Sequence, residues 1–282
     1  MYQGRALPPL LTSRVARRIL EGNVRVSLDL GLSEVSVAVG DDHVELPDGS
    51  VIDFSDLRRI EERNNAVFFP KQGTVYMVAV SNDHFYKLVP TEGAPTIEVD
   101  GIRMHRTKET TPDIDASEKI EALGIGGGRV LDTCTGLGYT AQAALERGAD
   151  LVVSIELRPE VLHIAEVNPW SRGIFEDHRI HLLLGDAYLT LDGLPHDFFD
   201  YAVHDPPSFA LSGHLYGQKF YAKLLHILRG GGRIFHYTGE PGSRYRRIDL
   251  KRGVIRRLRQ AGFEKIVYHE KVRGLTCRKQ DS

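Results

Sequence analysis

Asp132-Thr133-Cys134-Thr135-Gly136-Leu137-Gly138 follows the apolar run Arg129 to Leu131 and leads into a helical pattern from Tyr139. Glycines at such a junction let the backbone turn sharply and leave room for a ligand against the main chain. A second acid, Glu156, ends the apolar run Leu151 to Ile155, and a third, Asp186, follows Ile180 to Leu184 and Gly185. A carboxylate at the Glu156 position can accept hydrogen bonds from both hydroxyls of a ribose. One at the Asp186 position can accept the exocyclic amine of an adenine. Each acid alone is equally consistent with a solvated side chain. Together, in this order and at these places, they describe a pocket for an adenosine.

These residues need a scaffold, and the chain from Arg129 onward alternates strand and helix patterns. Strands are expected at Arg129 to Leu131, Leu151 to Ile155, Ile180 to Leu184, Tyr201 to His204, Arg233 to Tyr237 and Ile266 to His269. Helices are expected at Tyr139 to Arg147, Pro159 to Glu166, Lys219 to Leu228 and Gly253 to Gln260. That alternation predicts an α/β fold, a doubly wound and mainly parallel sheet wrapped by helices, with ligands beyond the carboxyl ends of the strands. Residues 1–106 read differently, as a smaller β-rich N-terminal domain with no catalytic signature. Its hairpins are marked by turn pairs such as Asp100-Gly101. The boundary falls near Thr107 to Asp115, where Pro112 ends the strand pattern, Ser117 is the expected N-cap and Glu118 to Leu123 the first helix of a second domain, 107–282.

The fourth expected strand runs into Asp205-Pro206-Pro207-Ser208. The prolines lock φ and lack N–H groups, so they make a stiff lip. The order Asp132…Gly136-x-Gly138, Glu156, Asp186 and Asp205-Pro206-Pro207-Ser208 resembles the Class I S-adenosylmethionine-dependent methyltransferases over about residues 110–280. The phrases His204-Asp205-Pro206-Pro207 and Phe235-His236-Tyr237-Thr238-Gly239 also resemble an archaeal group of predicted methyltransferases. The resemblance implies a seven-stranded Rossmann-like sheet and S-adenosyl-L-methionine as cofactor. Asp132, Thr133, Thr135, Gly136, Gly138, Glu156, Leu157, Gly185, Asp186, Ala187 and Asp205 would surround it, with Glu156 on the ribose and Asp186 near the adenine. Asp205, Pro206, Pro207 and Ser208 are the candidate catalytic residues. Asp205 would accept a hydrogen bond from an amine and hold its lone pair toward the methyl group, acting through alignment. Phe209, His236, Tyr237, Arg246 and Arg247 are candidate substrate contacts. The family often has a third glycine where this chain has Cys134, so the backbone there must be less strained.

Other readings fit less of the pattern. A dinucleotide fold would want a third glycine where Ala141 stands and gives Asp186 and the Asp-Pro-Pro motif no role. Methylation at a pyrimidine carbon needs a thiolate near the fourth or fifth strand. The two cysteines, Cys134 and Cys277, lie elsewhere, so nitrogen is the better acceptor. The segment Tyr216 to Gly232 is similar to aminopropyltransferases of the spermidine synthase type, whose donor is decarboxylated S-adenosylmethionine. Their glycine loop usually carries an acid, and this chain has none between Thr133 and Gly138. Methyl transfer is therefore the main reading and aminopropyl transfer the alternative. A protein or a small amine stays open as acceptor.

Composition bounds the rest. The 282 residues are 41% hydrophobic and 26% charged, as in soluble globular proteins. No apolar run is long enough to span a membrane. Arg14, Arg17 and Arg18 interrupt the N-terminal stretch, which reads as an amphipathic helix and not a secretory signal. The cysteines form no disulfide framework, so a cytoplasmic location is expected. The twelve histidines show no close ligand spacing, and no metal is expected. Net charge is −2, yet residues 241–282 hold 13 Lys and Arg against 4 Asp and Glu. Arg252, Arg256 and Arg259 share one helix face, which with Arg244, Arg246 and Arg247 suggests RNA as an anionic partner.

Overall fold

The computed structural model describes residues 7–207, 212–239 and 250–281. Its contacts divide the chain into two units, one of Met1–Asp113 with Glu160–Glu176, the other of Ile114–Pro159 with Asp177–Ser282.

In the first unit, α1 (Ser13–Leu20) is capped by Thr12, whose side chain accepts from the Val15 amide. Its buried face, Val15, Ala16 and Ile19, joins Leu57 and Ile60 of α2 (Phe54–Glu61) in one apolar core. Short antiparallel strands complete the unit. β1 (Arg25–Val26) pairs with β2 (Val35–Ser36); β3 (Ala38–Val39), β4 (His43–Glu45) and β5 (Val51–Asp53) form a meander; β6 (Phe68–Lys71) pairs with β7 (Thr74–Met77). A four-stranded sheet takes the order β11-β10-β9-β8 from β8 (Ala79–Ser81), β9 (Phe85–Val89), β10 (Thr96–Val99) and β11 (Ile102–Arg103). The expected hairpin at Asp100-Gly101 is present, with both residues at positive φ (47° and 83°), the twist a two-residue hairpin requires. The β-branched and apolar run Val24 to Leu30 suggests one strand, but only Arg25–Val26 pairs. Asp29 accepts from the Ser33 amide at 2.9 Å and from Ser27 Oγ at 2.7 Å, and this local turn displaces a strand ladder.

In the second unit β12 (Arg129–Asp132), β13 (Leu151–Glu156), β14 (Ile180–Leu184), β15 (Phe199–His204), β16 (Leu228–Tyr237), β17 (Phe263–His269) and β18 (Gly274–Lys279) form a seven-stranded sheet. Its order is β14-β13-β12-β15-β16-β18-β17, and only β18 runs antiparallel to its neighbours. The described helices in this part of the chain are α3 (Pro112–Leu123), α4 (Tyr139–Glu146), α5 (Pro159–Val167), α6 (Gly173–Glu176), α7 (Ala187–Thr190), α8 (Gln218–Ile227) and α9 (Leu250–Ala261). Part of α5 and all of α6 group with the first unit. The core holds Leu131, Ile155, Phe199, Phe220, Tyr221, Leu258 and Leu275. The chain winds outward from β12 to β14 and then returns to place β15 on the other side of β12. That reversal is the switch point at which doubly wound sheets open a crevice.

Two expectations about elements are corrected. Pro112 begins α3 instead of marking a break before it, because the first helical position needs no N–H and suits the fixed φ of proline. Ser117 is therefore inside the helix and not its cap. The second correction is β18, which the sequence reading passed over as basic tail and which sits between β16 and β17.

Candidate active site

The glycine turn follows β12 at the carboxyl end of the sheet. Its amides are pinned to both flanking strands: Thr133 N–H donates to Val203 O (3.0 Å) and Thr135 N–H to Ile155 O (2.9 Å). Gly136 and Gly138 take positive φ, 54° and 79°, which only glycine adopts without strain, whereas Cys134 does not. Thr133 and Thr135 are buried, and their hydroxyls serve the turn itself. Thr135 Oγ1 lies 2.7 Å from Ser154 Oγ, which donates to Asp132 Oδ2 at 2.8 Å; Thr140 donates to the same oxygen at 3.2 Å. Asp132 Oδ1 has no partner among the described residues. Burial, with a smaller push from the Asp205 charge, raises the Asp132 pKa to about 7 against the opposing hydroxyl bonds.

Glu156 is locked by the turn it was expected to serve. One carboxylate oxygen accepts from the Gly136 amide and the other from the Arg158 amide, each at 2.9 Å. A carboxylate oxygen carries two acceptor sites, so each keeps one for a hydroxyl. Burial raises the Glu156 pKa, partly offset by those amides. Beside it Leu157 is 49% exposed, an apolar surface at the strand end. Gly185 N–H donates to Glu156 O, and Asp186 caps α7 by accepting from the Tyr188 amide at 2.7 Å. The other Asp186 oxygen lies 3.8 Å from His214 Nε2. Ala187 is turned into the hydrophobic core, so its side chain does not line the crevice.

The residues that the sequence reading missed stand next to Asp205. Lys119 of α3 places its Nζ 2.5 Å from Asp205 Oδ2 and 2.7 Å from Asp115 Oδ2, and 4.5 Å from the centre of the Tyr237 ring. Its side chain is 5% exposed, that of Asp115 2% and that of Asp205 21%. Burial opposes the Lys119 charge, but Asp205 and Asp115 outweigh it, and its pKa stands above the ordinary value. Asp205 is pushed up by burial and drawn back by Lys119. Its Oδ1 has no hydrogen-bond partner among the described residues. Asp115 and Lys119 are four residues apart on one helix face; that spacing was readable, but its burial was not. Pro206 is buried, and the Pro207 carbonyl accepts from Ser212 Oγ (2.9 Å) and Tyr216 OH (3.1 Å), which tether the lip. Ser208, Phe209, Arg244, Arg246 and Arg247 lie outside the described residues.

The histidines are interior. His204 Nδ1 accepts from Thr133 Oγ1 (2.7 Å) and its Nε2–H donates to Leu215 O (3.1 Å). Burial lowers its pKa to about 3. His236 Nε2 lies 2.8 Å from Tyr221 OH, its Nδ1 has no partner among the described residues, and burial holds its pKa well below the usual value. It is almost wholly enclosed, so it supports the strand end and does not present a surface to substrate. Tyr237, by contrast, is half-buried, with its ring against Lys119. His204 stays neutral in the fold but charges below about pH 6.5 once unfolded, so its contribution is lost as pH falls from about 6.5 toward 3. Asp132 has the opposite sign, since the folded state holds its proton between about pH 4 and 7. Asp132→Asn removes that compensation. It is expected to lose about 2–3 kcal/mol more stability than wild type between pH 7 and pH 4.5, read by urea unfolding. Parallel losses in the two proteins would show that Asp132 is ionised in the fold.

Arg252, Arg256 and Arg259 are exposed along one face of α9, while Arg257 turns inward and donates to Tyr216 O at 2.7 Å. Among the described residues no group of three or more His, Cys, Asp or Glu could hold a metal ion, and no helix is long and apolar enough to cross a membrane.

No family model matches the chain. Over 72% of its length it superposes on 73% of a spermidine synthase crystallised with the transition-state analogue AdoDATO, with a TM-score of 0.59 and 18% identity. The spermidine synthase of Thermotoga maritima gives 0.56 over 72% of both chains at 18% identity. MNMC2 of Aquifex aeolicus gives 0.50, at 17% identity, over 80% of this chain and 75% of that one. These likenesses establish the Rossmann-like fold. In sequence, 154 residues (52% of this chain) are 30% identical to polyamine aminopropyltransferase 2 of Streptomyces coelicolor, but they span only 27% of that longer protein. A far fuller match is 43% identical over 275 residues, 95% of this chain and 94% of the other. On that match the chain belongs to the family of the uncharacterized protein MJ1233 of Methanocaldococcus jannaschii.

Proposed function

We propose that the chain is an aminopropyltransferase, moving an aminopropyl group from decarboxylated S-adenosylmethionine to an amine. The stretch 30% identical to a polyamine aminopropyltransferase carries this reading, and the spermidine synthase fold agrees with it. The electrostatics of the crevice also favour it over the methyl transfer that the sequence alone preferred. Asp115 and Asp205 together exceed the charge of Lys119 by one, and Asp132 adds a carboxyl that ionises near neutrality. Such a site suits a donor without a carboxylate and an acceptor that arrives as a cation.

The bound donor supplies a sulfonium carbon, and the acceptor nitrogen forms a bond to it as the carbon–sulfur bond breaks and its electron pair returns to sulfur. Glu156 holds the ribose hydroxyls with its two remaining acceptor sites, and Leu157 covers an apolar face of the base. Asp186 keeps one oxygen for an adenine amine while the other caps α7. Asp205 Oδ1 accepts from the incoming amine, aligns its lone pair and receives the proton it sheds.

Methyl transfer to a nitrogen is the second reading. It draws support from the lack of an acid between Thr133 and Gly138, and the exposed arginine face of α9 would suit RNA as its acceptor. The deciding experiment compares the two donors. Decarboxylated S-adenosylmethionine is expected to raise the melting temperature and bind more tightly in calorimetry than the intact compound, and labelled aminopropyl groups should pass to small amines. Glu156→Ala should weaken donor binding by about 1–3 kcal/mol, the cost of hydroxyls left unpaired. Preference for the intact donor, with salt-dependent retention of RNA and labelled methyl transfer into it, would replace this proposal with the second reading.

A further inference from the structure

We propose that Lys119 is the positioning residue for Asp205, held by Asp115 so that it grips one carboxylate oxygen and leaves the other for the acceptor amine. The inference rests on the transfer reaction proposed above. The Lys119 ammonium has three donors and uses two on Asp115 and Asp205, at 2.7 and 2.5 Å. The third side of the ammonium meets the face of Tyr237, 4.5 Å from the ring centre, where a cation is attracted to the π-electrons. A lysine with all sides occupied and almost no solvent exposure has one orientation. Nothing in the fold of α3 requires a charge there, since a buried ion pair is often no more stabilising than well-packed apolar side chains.

The arrangement gives Asp205 two properties at once. With Oδ2 bound to Lys119, Asp205 presents Oδ1, which is unpartnered among the described residues, toward the crevice. The ammonium also keeps this poorly hydrated carboxylate ionised, so that it can accept the proton of the amine. Other groups around it push the opposite way. Asp115 from α3 and Asp132 from β12 repel its charge; Cys134 and Tyr216 lie close enough to feel it. Lys119 is the nearby cation that offsets them. Asp115 thus acts two steps from the substrate, fixing the residue that fixes Asp205.

The test uses the full chain with Lys119→Gln, which keeps volume and a hydrogen-bond donor but no charge, and Lys119→Arg, which keeps the charge. Two readouts are taken: kcat/KM for aminopropyl transfer against pH, and the carboxyl titration of Asp205 by carbon-13 NMR of labelled aspartate, assigned with Asp205→Asn. Lys119→Gln is expected to move the acid limb and the Asp205 titration up together by about one pH unit or more, the size of shift a charge in contact produces. At pH 7 kcat should fall about tenfold or more, with donor affinity held within about twofold. Lys119→Arg should leave the limb near its wild-type place. A folded Lys119→Gln whose limb and titration are unmoved overturns the proposal, as does an equal loss of donor binding. If the wild type transfers no aminopropyl group, the functional reading fails by itself. The titration then decides alone: a shifted Asp205 upholds the assignment of Lys119, and an unshifted one removes it.

Discussion

Asp205→Asn is expected to lower the rate of transfer at least a hundredfold, about 3 kcal/mol of transition-state stabilisation, while donor affinity changes by no more than about threefold. The substitution keeps the shape of the side chain and its place after β15. What it removes is the negative charge that, in the proposed reaction, aligns the amine and takes its proton. Lys119 retains Asp115 as a partner, so the fold should persist with a modest loss of stability, and the enzyme can be assayed as a folded protein. Single-turnover rates and calorimetry with the donor separate the two quantities. If rate and donor affinity fall by the same factor, Asp205 belongs to the donor pocket and the acceptor lies elsewhere.

A large effect on stability at constant pH is expected at Gly274. A Cβ there would stand 2.4 Å from Phe235 Cζ and 2.9 Å from the His236 carbonyl oxygen. The first atom belongs to a fully buried ring in the core and the second to the backbone of β16. Neither can move without opening the pairing of β18 with β16, where Gly274 faces Tyr237. Gly274→Ala should therefore cost about 2–3 kcal/mol, near the upper end for overpacking by one methyl group, seen as a lower urea midpoint with an unchanged slope. Transfer should fall as well, because Tyr237 is displaced from Lys119. A change under about 0.5 kcal/mol would mean that β18 slides to make room.

The central sheet was legible because its strands are short apolar runs separated by helical patterns, and Ile180–Leu184 is reproduced to the residue. The positions of the three acids were legible for a related reason: Asp132 and Glu156 end strands and Asp186 lies two residues beyond one. Lys119 and Asp115 were not. A lysine four residues after an aspartate on a helix is an ordinary surface pair, and only its meeting with Asp205 after β15 and Tyr237 at the end of β16 makes it interior. The glycine turn carries no acid between Thr133 and Gly138, whereas the fold brings carboxylates together from α3, β12 and the end of β15. β18 was missed because Arg278 and Lys279 read as basic tail; in the sheet they bond at its far end, Arg278 to Gly231 O and Lys279 to Leu228 O. The histidines misled in the other direction, since a strand-end position does not distinguish the crevice from the core beneath it.

The place of β18 has a kinetic consequence. It lies between β16 and β17 although it follows both in the chain, so β17 has no strand to join until Gly274–Lys279 has been added. During synthesis the segment Phe263–His269 must wait as an unpaired strand; Val267 is exposed even in the finished sheet. A chain stalled or cleaved between these segments would carry five parallel strands and a loose sixth, a form open to pairing with another copy. Such a protein should show its last folding phase late, and that phase should report on both strands at once.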